Sequence, residues 1–241
     1  MPKELDFPAT TGSLRWILHT RPELGFAAGL FSVIQRPSFS LPDAPTKAHR
    51  QAMSRTFRYL ADNPDLGLHF RPGGSLQTFT YADAAFACEP AVATNGSSFS
   101  RSGIVMLLAC AVINSASIRQ RAVTLSTAES ECYALCYAVR LTLAMRRIIA
   151  FIAGCSIPPT IVYEDNAAAN SQIARRDLTA RTRHLKVNLA FIIDAIDSNE
   201  IIIEFCRTHD QLANTLTKSE DKEMFLKSRD MFLGTVGSST R

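Results

Sequence analysis

No stretch of this sequence is apolar for long enough to cross a membrane as a helix. The longest uninterrupted apolar run, Ile104 to Ile113, falls far short of the roughly 20 residues a spanning helix requires, and its small and β-branched residues suit buried strands. The N-terminus, Met-Pro-Lys-Glu-Leu-Asp6, places acids where a signal peptide needs positive charge followed by an apolar core, so an intracellular, reducing setting in cytoplasm or nucleus is expected, without secretion. Cysteine pairing is missing too. The six cysteines, at 88, 110, 132, 136, 155 and 206, form no C-x-x-C pair and lie in apolar stretches, which points to reduced core residues and away from disulfides or zinc. Charge is sparse at 20% of residues with a net +4, so clustering matters more than the overall field. There is no internal repeat or low-complexity tract.

Hydrophobic residues, at 46% of 241, suffice for one large domain or two unequal ones. Ser13 to Phe70 reads as helical, in two segments separated by the proline-bearing loop Arg36 to Pro45, since proline does not continue a helix. Thr46 suits the N-cap of the second segment. There Met53, Phe57 and Leu60 recur at helical spacing as a buried stripe and leave Lys47, Arg50, Arg55 and Arg58 outside, either as a solvated face or as a grip on phosphates. Arg71-Pro-Gly-Gly-Ser75 breaks any periodic element and marks the expected domain boundary. Residues 1–71 then form a helical unit, 76–234 a second domain, and 235–241 a disordered tail.

Beyond that boundary Leu76 to Ala82, Ser102 to Leu108 and Ala111 to Ser115 read as strands, and Ser126 to Ala153 as a long helix ended by Pro158-Pro159. A strand at Thr160 to Tyr163, helices near Ala167 to Ala174 and His184 to Ile196, a strand at Ile201 to Phe205 and a helical stretch from Asp210 complete the pattern. Three strands followed by alternating helix and strand predict a layered α/β domain with some parallel pairing.

Three carboxylates stand at chemically telling places. Asp83 ends the first strand and Asp165, in Glu164-Asp165-Asn166, ends a later one, where α/β folds collect reactive side chains in a crevice outside the sheet. Between them Ser126 and Glu129 form a capping box, which employs Glu129. Glu131 has no such task. It shares a helix face with Leu135 and Ala138, so its carboxylate turns toward the apolar side, at a cost unless a cation receives it. Three acids in one crevice repel one another and are stabilised by divalent ions, and oxygen-only ligands favour Mg²⁺ or Mn²⁺ over zinc. Two such ions about 4 Å apart are suited to phosphodiester cleavage.

The segments Thr80-Tyr-Ala-Asp83-Ala, Leu125-Ser-Thr-Ala-Glu-Ser-Glu131-Cys-Tyr-Ala-Leu, Glu164-Asp165-Asn-Ala-Ala and Thr208-His-Asp-Gln-Leu-Ala-Asn-Thr-Leu-Thr-Lys218 resemble the ribonuclease H region of copia-type retrotransposon Pol polyproteins. Upstream, Thr20-Arg-Pro-Glu-Leu and Phe57-Arg-Tyr-Leu resemble the thumb and connection that follow the reverse-transcriptase palm in those polyproteins. The resemblance implies a mixed five-stranded sheet with flanking helices, preceded by a small helical segment. It also implies two bound Mg²⁺ or Mn²⁺ ions and no small-molecule cofactor, and hydrolysis of the RNA strand of an RNA/DNA hybrid in partnership with the polymerase portion of the polyprotein. Asp83, Glu131 and Asp165 take the places of the first three catalytic carboxylates. Asn214 stands where the family has a fourth acid, Ala85-Phe86 where it has Asp-Trp, Asn114 where it has Trp, and Lys186 where it has an acid. Two ions carry four positive charges and three acids balance only three, so Asn214 implies one weaker ion and slower turnover. No adjacent Asp-Asp pair occurs, so DNA synthesis is not expected. The run Arg175, Arg176, Arg181, Arg183 and Lys186 is a second candidate nucleic-acid grip. A decayed fragment that at most binds nucleic acid is the competing expectation.

Overall fold

The apolar run from Ile104 to Ile113 folds as the facing ends of two strands. Ala109 and Cys110 both take positive φ (51° and 71°) and close a two-residue hairpin loop, the kind whose twist matches antiparallel strands. In the computed structural model, which describes residues 13–34, 46–73, 75–90, 98–176 and 185–235, β1 (Phe79–Pro90), β2 (Ser98–Leu108) and β3 (Ala111–Arg119) form an antiparallel meander. β4 (Thr160–Glu164) and β5 (Ile201–Phe205) add in parallel beyond β1, giving the order β3-β2-β1-β4-β5. This is the expected mixed five-stranded sheet with flanking helices.

Both faces of the sheet are covered, which is why the second half of β2, from Ile104 to Leu108, reads as continuously apolar. The helices in chain order are α1 (Gly25–Ile34), α2 (Lys47–Asp62), α3 (Thr127–Ala153), α4 (Ala167–Arg175), α5 (Lys186–Asp197) and α6 (Lys222–Leu233). Ile104 and Ala82 face α3 and α5, packing with Leu135, Val139, Leu189 and Ile192. Val105, Leu107 and Val112 face the other way, against Leu212, Leu216 and Phe232. On that second face Gly103 is needed for close approach, since a Cβ there would lie 2.6 Å from the Ala213 carbonyl oxygen.

The N-terminal helices have their own cluster, Leu14, Leu24, Ala28, Phe31 and Met53. The stretch that follows them is stitched to the sheet domain by His69 N–H to the Leu233 carbonyl (2.7 Å) and Arg71 N–H to the Ala109 carbonyl (3.1 Å). Thr46 caps α2 as expected, accepting from His49 N–H at 3.3 Å. The expected helix does not reach Phe70, because α2 stops at the Asn63 cap and Pro64 follows, which the preceding residue accommodates only outside the helical region. The loop 36–45 lies outside the described residues. The stretch from Asp210 is also not one helix. It forms 3-10 turns at Thr208–Asp210 and Leu212–Leu216, and α6 starts only after the Asp221 cap. Nor are all the cysteines core residues: Cys132 and Cys136 are buried, but Cys88, Cys110 and Cys155 are exposed. Among the described residues no helix is long and apolar enough to cross a membrane.

Candidate metal centre and basic surfaces

Parallel pairing puts Tyr81 level with Tyr163, so two residues further along Asp83 comes level with Asp165, just past the carboxyl end of β4; Asp83 does not end its strand as expected, because β1 continues to Pro90. The third acid arrives on α3. Ser126 Oγ accepts from Glu129 N–H (3.2 Å), and Glu129 Oε2 reaches back to Leu125 N–H (2.7 Å), one residue before the usual capping-box partner. This fixes the first turn and leaves Glu131 on the sheet-facing side, 6% exposed. One oxygen from each of Asp83, Glu131 and Asp165 lies within 4.8 Å of the others.

The surroundings hold these acids in place without neutralising them. Thr217 Oγ1 donates to Asp83 Oδ2, and none of the three makes a salt bridge among the described residues. Burial pushes the Asp83 carboxyl above its ordinary pKa, against the opposing pull of the Thr217 hydroxyl and the Lys218 charge. Glu131 is raised as well, first by burial and then by the negative charges of Glu164, Asp83 and Asp165. The Oε2 atom of Glu131 and the Oδ1 atom of Asn214 are buried with no hydrogen-bond partner. Unpaired hard oxygens beside like charges are what a divalent cation relieves, so the residues present fit such an ion.

Asn214 sits in the 3-10 turn Leu212–Leu216, buried, with Nδ2 donating to the Thr208 carbonyl (2.8 Å). Its backbone carbonyl accepts from the Thr217 hydroxyl that also contacts Asp83, so the backbone of the turn is tied to the crevice through one residue. His209 and Asp210 lie on an exposed turn and pair with each other at 3.1 Å, with Lys227 3.3 Å from Asp210. Gln211 caps the following turn, its side chain accepting from Ala213 N–H.

Sequence reading passed over Glu164. It is fully buried; Oε1 accepts from Asn166 N–H (3.0 Å) and Oε2 has no partner. Burial raises its pKa well above the usual carboxylate range, and the neighbouring Asp165 and Asp83 add to the rise. The signal was present in the alternation of β4, where Thr160, Val162 and Glu164 all point inward. Thr217 and its contact with Asp83 had no such periodic marker.

Of the basic candidates, Lys47, Arg50, Arg55 and Arg58 are exposed on α2, and Arg175, Arg176 and Lys186 are exposed near the facing ends of α4 and α5. Arg176 is already engaged, giving two nitrogens to Asp197 at 2.8 and 2.5 Å. Arg181 and Arg183 lie outside the described residues.

No protein-family model matches the chain. It is 28% identical over 230 residues to the retrovirus-related Pol polyprotein from transposon RE2 of Arabidopsis thaliana, a match covering 93% of this chain and 15% of that polyprotein. The chain therefore spans about one seventh of such a relative. It is 31% identical over 150 residues to the secreted RxLR effector protein 161 of Plasmopara viticola, covering 60% of this chain and 97% of that protein. Among solved structures, LC11 ribonuclease H1 in complex with an RNA/DNA hybrid aligns with a TM-score of 0.44 at 13% identity, over 58% of this chain and 94% of that one.

Proposed function

We propose that the chain, which is similar to the retrovirus-related Pol polyproteins of copia-type transposons, is a ribonuclease H unit that hydrolyses the RNA strand of RNA/DNA hybrids inside the cell, during reverse transcription. The observation that carries this reading is the meeting of Asp83, Glu131 and Asp165, from three separate segments, within 4.8 Å. These three would hold two Mg²⁺ or Mn²⁺ ions, with the amide oxygen of Asn214 as a weaker neutral ligand. Bound divalent ions supply an activated water and stabilise the leaving oxygen in phosphodiester hydrolysis. The chain's own part is preorganisation. The Thr217 hydroxyl orients Asp83, the Ser126 cap fixes the turn that carries Glu131, and Lys218 biases Asp83 toward its charged form. Lys47, Arg50, Arg55, Arg58, Arg175 and Lys186 would hold substrate phosphates, joined by Arg181 and Arg183. Arg176 contributes less, because it must first leave Asp197. The polymerase portion carried by the longer relatives is the natural partner.

Incubating the purified chain with a labelled RNA/DNA hybrid in Mg²⁺ and in Mn²⁺, beside Asp165→Asn, tests this. Cleavage by the parent is expected to fall at least about a hundredfold in the variant, since losing one ligand removes several kcal/mol of charge stabilisation. Equal cleavage by both would sink the assignment. Asn214 favours a second reading, a scaffold that binds hybrids and no longer cuts them; binding without cleavage in either metal is its signature.

A further inference from the structure

Helix α3 carries apolar residues on two opposite faces. Leu135, Val139 and Ile149 pack inward, the Thr142 hydroxyl hydrogen-bonds with that of Thr80 at 2.9 Å, and Arg146 turns in to Glu200 at 2.6 Å. On the far side Tyr137, Leu141, Ala144, Ile148 and Phe151 recur at intervals of four, three, four and three residues, the spacing that keeps one seam of a helix against a partner helix. Their exposure grows toward the C-terminus, from 36% at Tyr137 to 50% at Ile148 and 87% at Phe151, with Ile152 beside them at 77%. A helix that is apolar on both faces is ordinarily covered on both. Here, among the described residues, none covers Ile148, Phe151 and Ile152.

Charge decides what fits that seam. After Glu131 the rest of α3 holds no acid, and its charged residues are Arg140, Arg146 and Arg147. Arg146 is engaged inside. Arg140 and Arg147 are exposed, one heptad apart along the same border of the seam, and among the described residues no acid pairs with either. With Leu141 and Ile148 at heptad position a and Tyr137, Ala144 and Phe151 at d, both arginines occupy g, which meets the e or g residues of a neighbouring helix. A second copy of this chain answers them badly. Packed antiparallel, it sets arginine against arginine; packed parallel, it lays the e residues Met145 and Ile152 on them, so that each guanidinium loses water and gains no carboxylate. We propose that the outward face of α3 from Tyr137 to Ile152 is a docking site for an acidic amphipathic helix of another polypeptide, which seats apolar residues at heptad spacing on Ile148 and Phe151 and sets Asp or Glu against Arg140 and Arg147. The seam offers about 21 Å of helix, the scale on which one amphipathic helix recognises an apolar surface. It lies on the side of α3 away from Glu131 and the sheet, so it is separate from the carboxylate crevice.

The probe is a fluorescein-labelled synthetic peptide of about three heptads, with Leu at a and d and Glu at e and g, whose own repulsion keeps it from self-pairing. Titrated with the full chain and followed by anisotropy, it should bind saturably in about the micromolar range, and at least about tenfold more tightly than the same peptide with Lys at e and g. Ile148→Ala/Phe151→Ala, on exposed side chains, should weaken binding about tenfold or more while shifting the melting temperature by no more than about two degrees. Arg140→Glu/Arg147→Glu should reverse the preference in favour of the Lys peptide, which simple adhesion to an apolar patch would not do. If that reversal of charge lowers the melting temperature, Arg140→Ala/Arg147→Ala should still erase the preference between the two peptides. Equal binding of both peptides by the parent, or binding of neither, overturns the proposal. So does sedimentation of the chain alone as a dimer that Phe151→Asp disperses, which would assign the seam to a second copy. Binding to phosphatidylserine vesicles that Phe151→Asp abolishes, without discrimination between the peptides, would assign it to a lipid surface and overturn the proposal as well.

Discussion

Arg21 and Glu23, at the turn before α1, are as buried as Asp83 and Glu131, with 5% and 3% exposed against 5% and 6%. The two pairs differ in how their charge is answered. Arg21 Nε donates to Glu23 Oε1 at 2.7 Å, Tyr59 Oη reaches the same oxygen at 3.3 Å, and Arg21 also donates to the Asn63 carbonyl at 3.0 Å. That cluster balances its charge and ties α1 to the end of α2. Both clusters leave buried atoms without partners, Arg21 Nη2 and Glu23 Oε2 in one and oxygens of Glu131 and Glu164 in the other, but the carboxylate crevice collects charge of one sign only. Burial alone therefore does not mark a functional site. What separates the two is whether the buried charge is answered from within the chain.

Neutralising one carboxylate in each cluster should break this contrast if it is wrong, because the expected signs are opposite. Glu23→Gln strands Arg21 in the interior and should cost about 3–5 kcal/mol, as breaking a buried pair does, seen as a large drop in melting temperature. Glu131→Gln, measured in EDTA at neutral pH, spares the folded crevice the cost of either charging or protonating a buried acid and should raise the melting temperature by a few degrees while abolishing cleavage. Destabilisation by both would mean that the crevice acids serve packing, as the N-terminal pair does.

A smaller effect concerns pH. The carboxyls of Asp83, Glu131 and Glu164 all have raised pKa values in the folded chain, chiefly through burial. The folded protein thus keeps protons that the unfolded chain has released above about pH 4. Stability from these groups is complete below the ordinary carboxylate pKa and is lost as pH rises toward the folded values. In EDTA the melting temperature should fall from pH 5 to pH 8, and millimolar Mg²⁺ should restore it most at the higher pH, where the acids are free to bind it. A profile that is flat in EDTA and indifferent to Mg²⁺ would remove the crevice from the list of cation sites. The Arg21–Glu23 cluster should ignore Mg²⁺ throughout.

How far the sequence revealed these features follows from their physics. The three carboxylates were legible because Asp83 and Asp165 each follow a short run of strand-type residues and Glu131 lies on the buried face of a helix. The end of β1 was not. Expected to stop at Ala82, it runs to Pro90 through alanines and acids of low strand propensity, held by pairing to β2 across a bulge between Ala85 and Glu89. The same holds for β3, expected to stop at Ser115, whose residues from Ala116 to Arg119 are strand through their partners on β2.

The finest distinction within the crevice is which group supplies the fourth oxygen, and Asn214→Asp separates the answers. Asn214 Nδ2 donates to the Thr208 carbonyl, so an aspartate there loses a hydrogen bond and adds a negative charge to a cluster that already repels itself. In EDTA the variant should melt lower than the parent. If the side chain at 214 faces an ion, the added charge should also lower the Mg²⁺ concentration for half-maximal cleavage or thermal stabilisation by about three- to tenfold, equivalent to about 0.6–1.4 kcal/mol of binding. An unchanged Mg²⁺ requirement would place residue 214 outside the ion's reach. It would shift attention to Glu164, whose unpartnered Oε2 already offers a charge from the buried side of β4. Glu164→Gln would then raise the Mg²⁺ requirement, whereas a purely structural Glu164 would leave it unmoved.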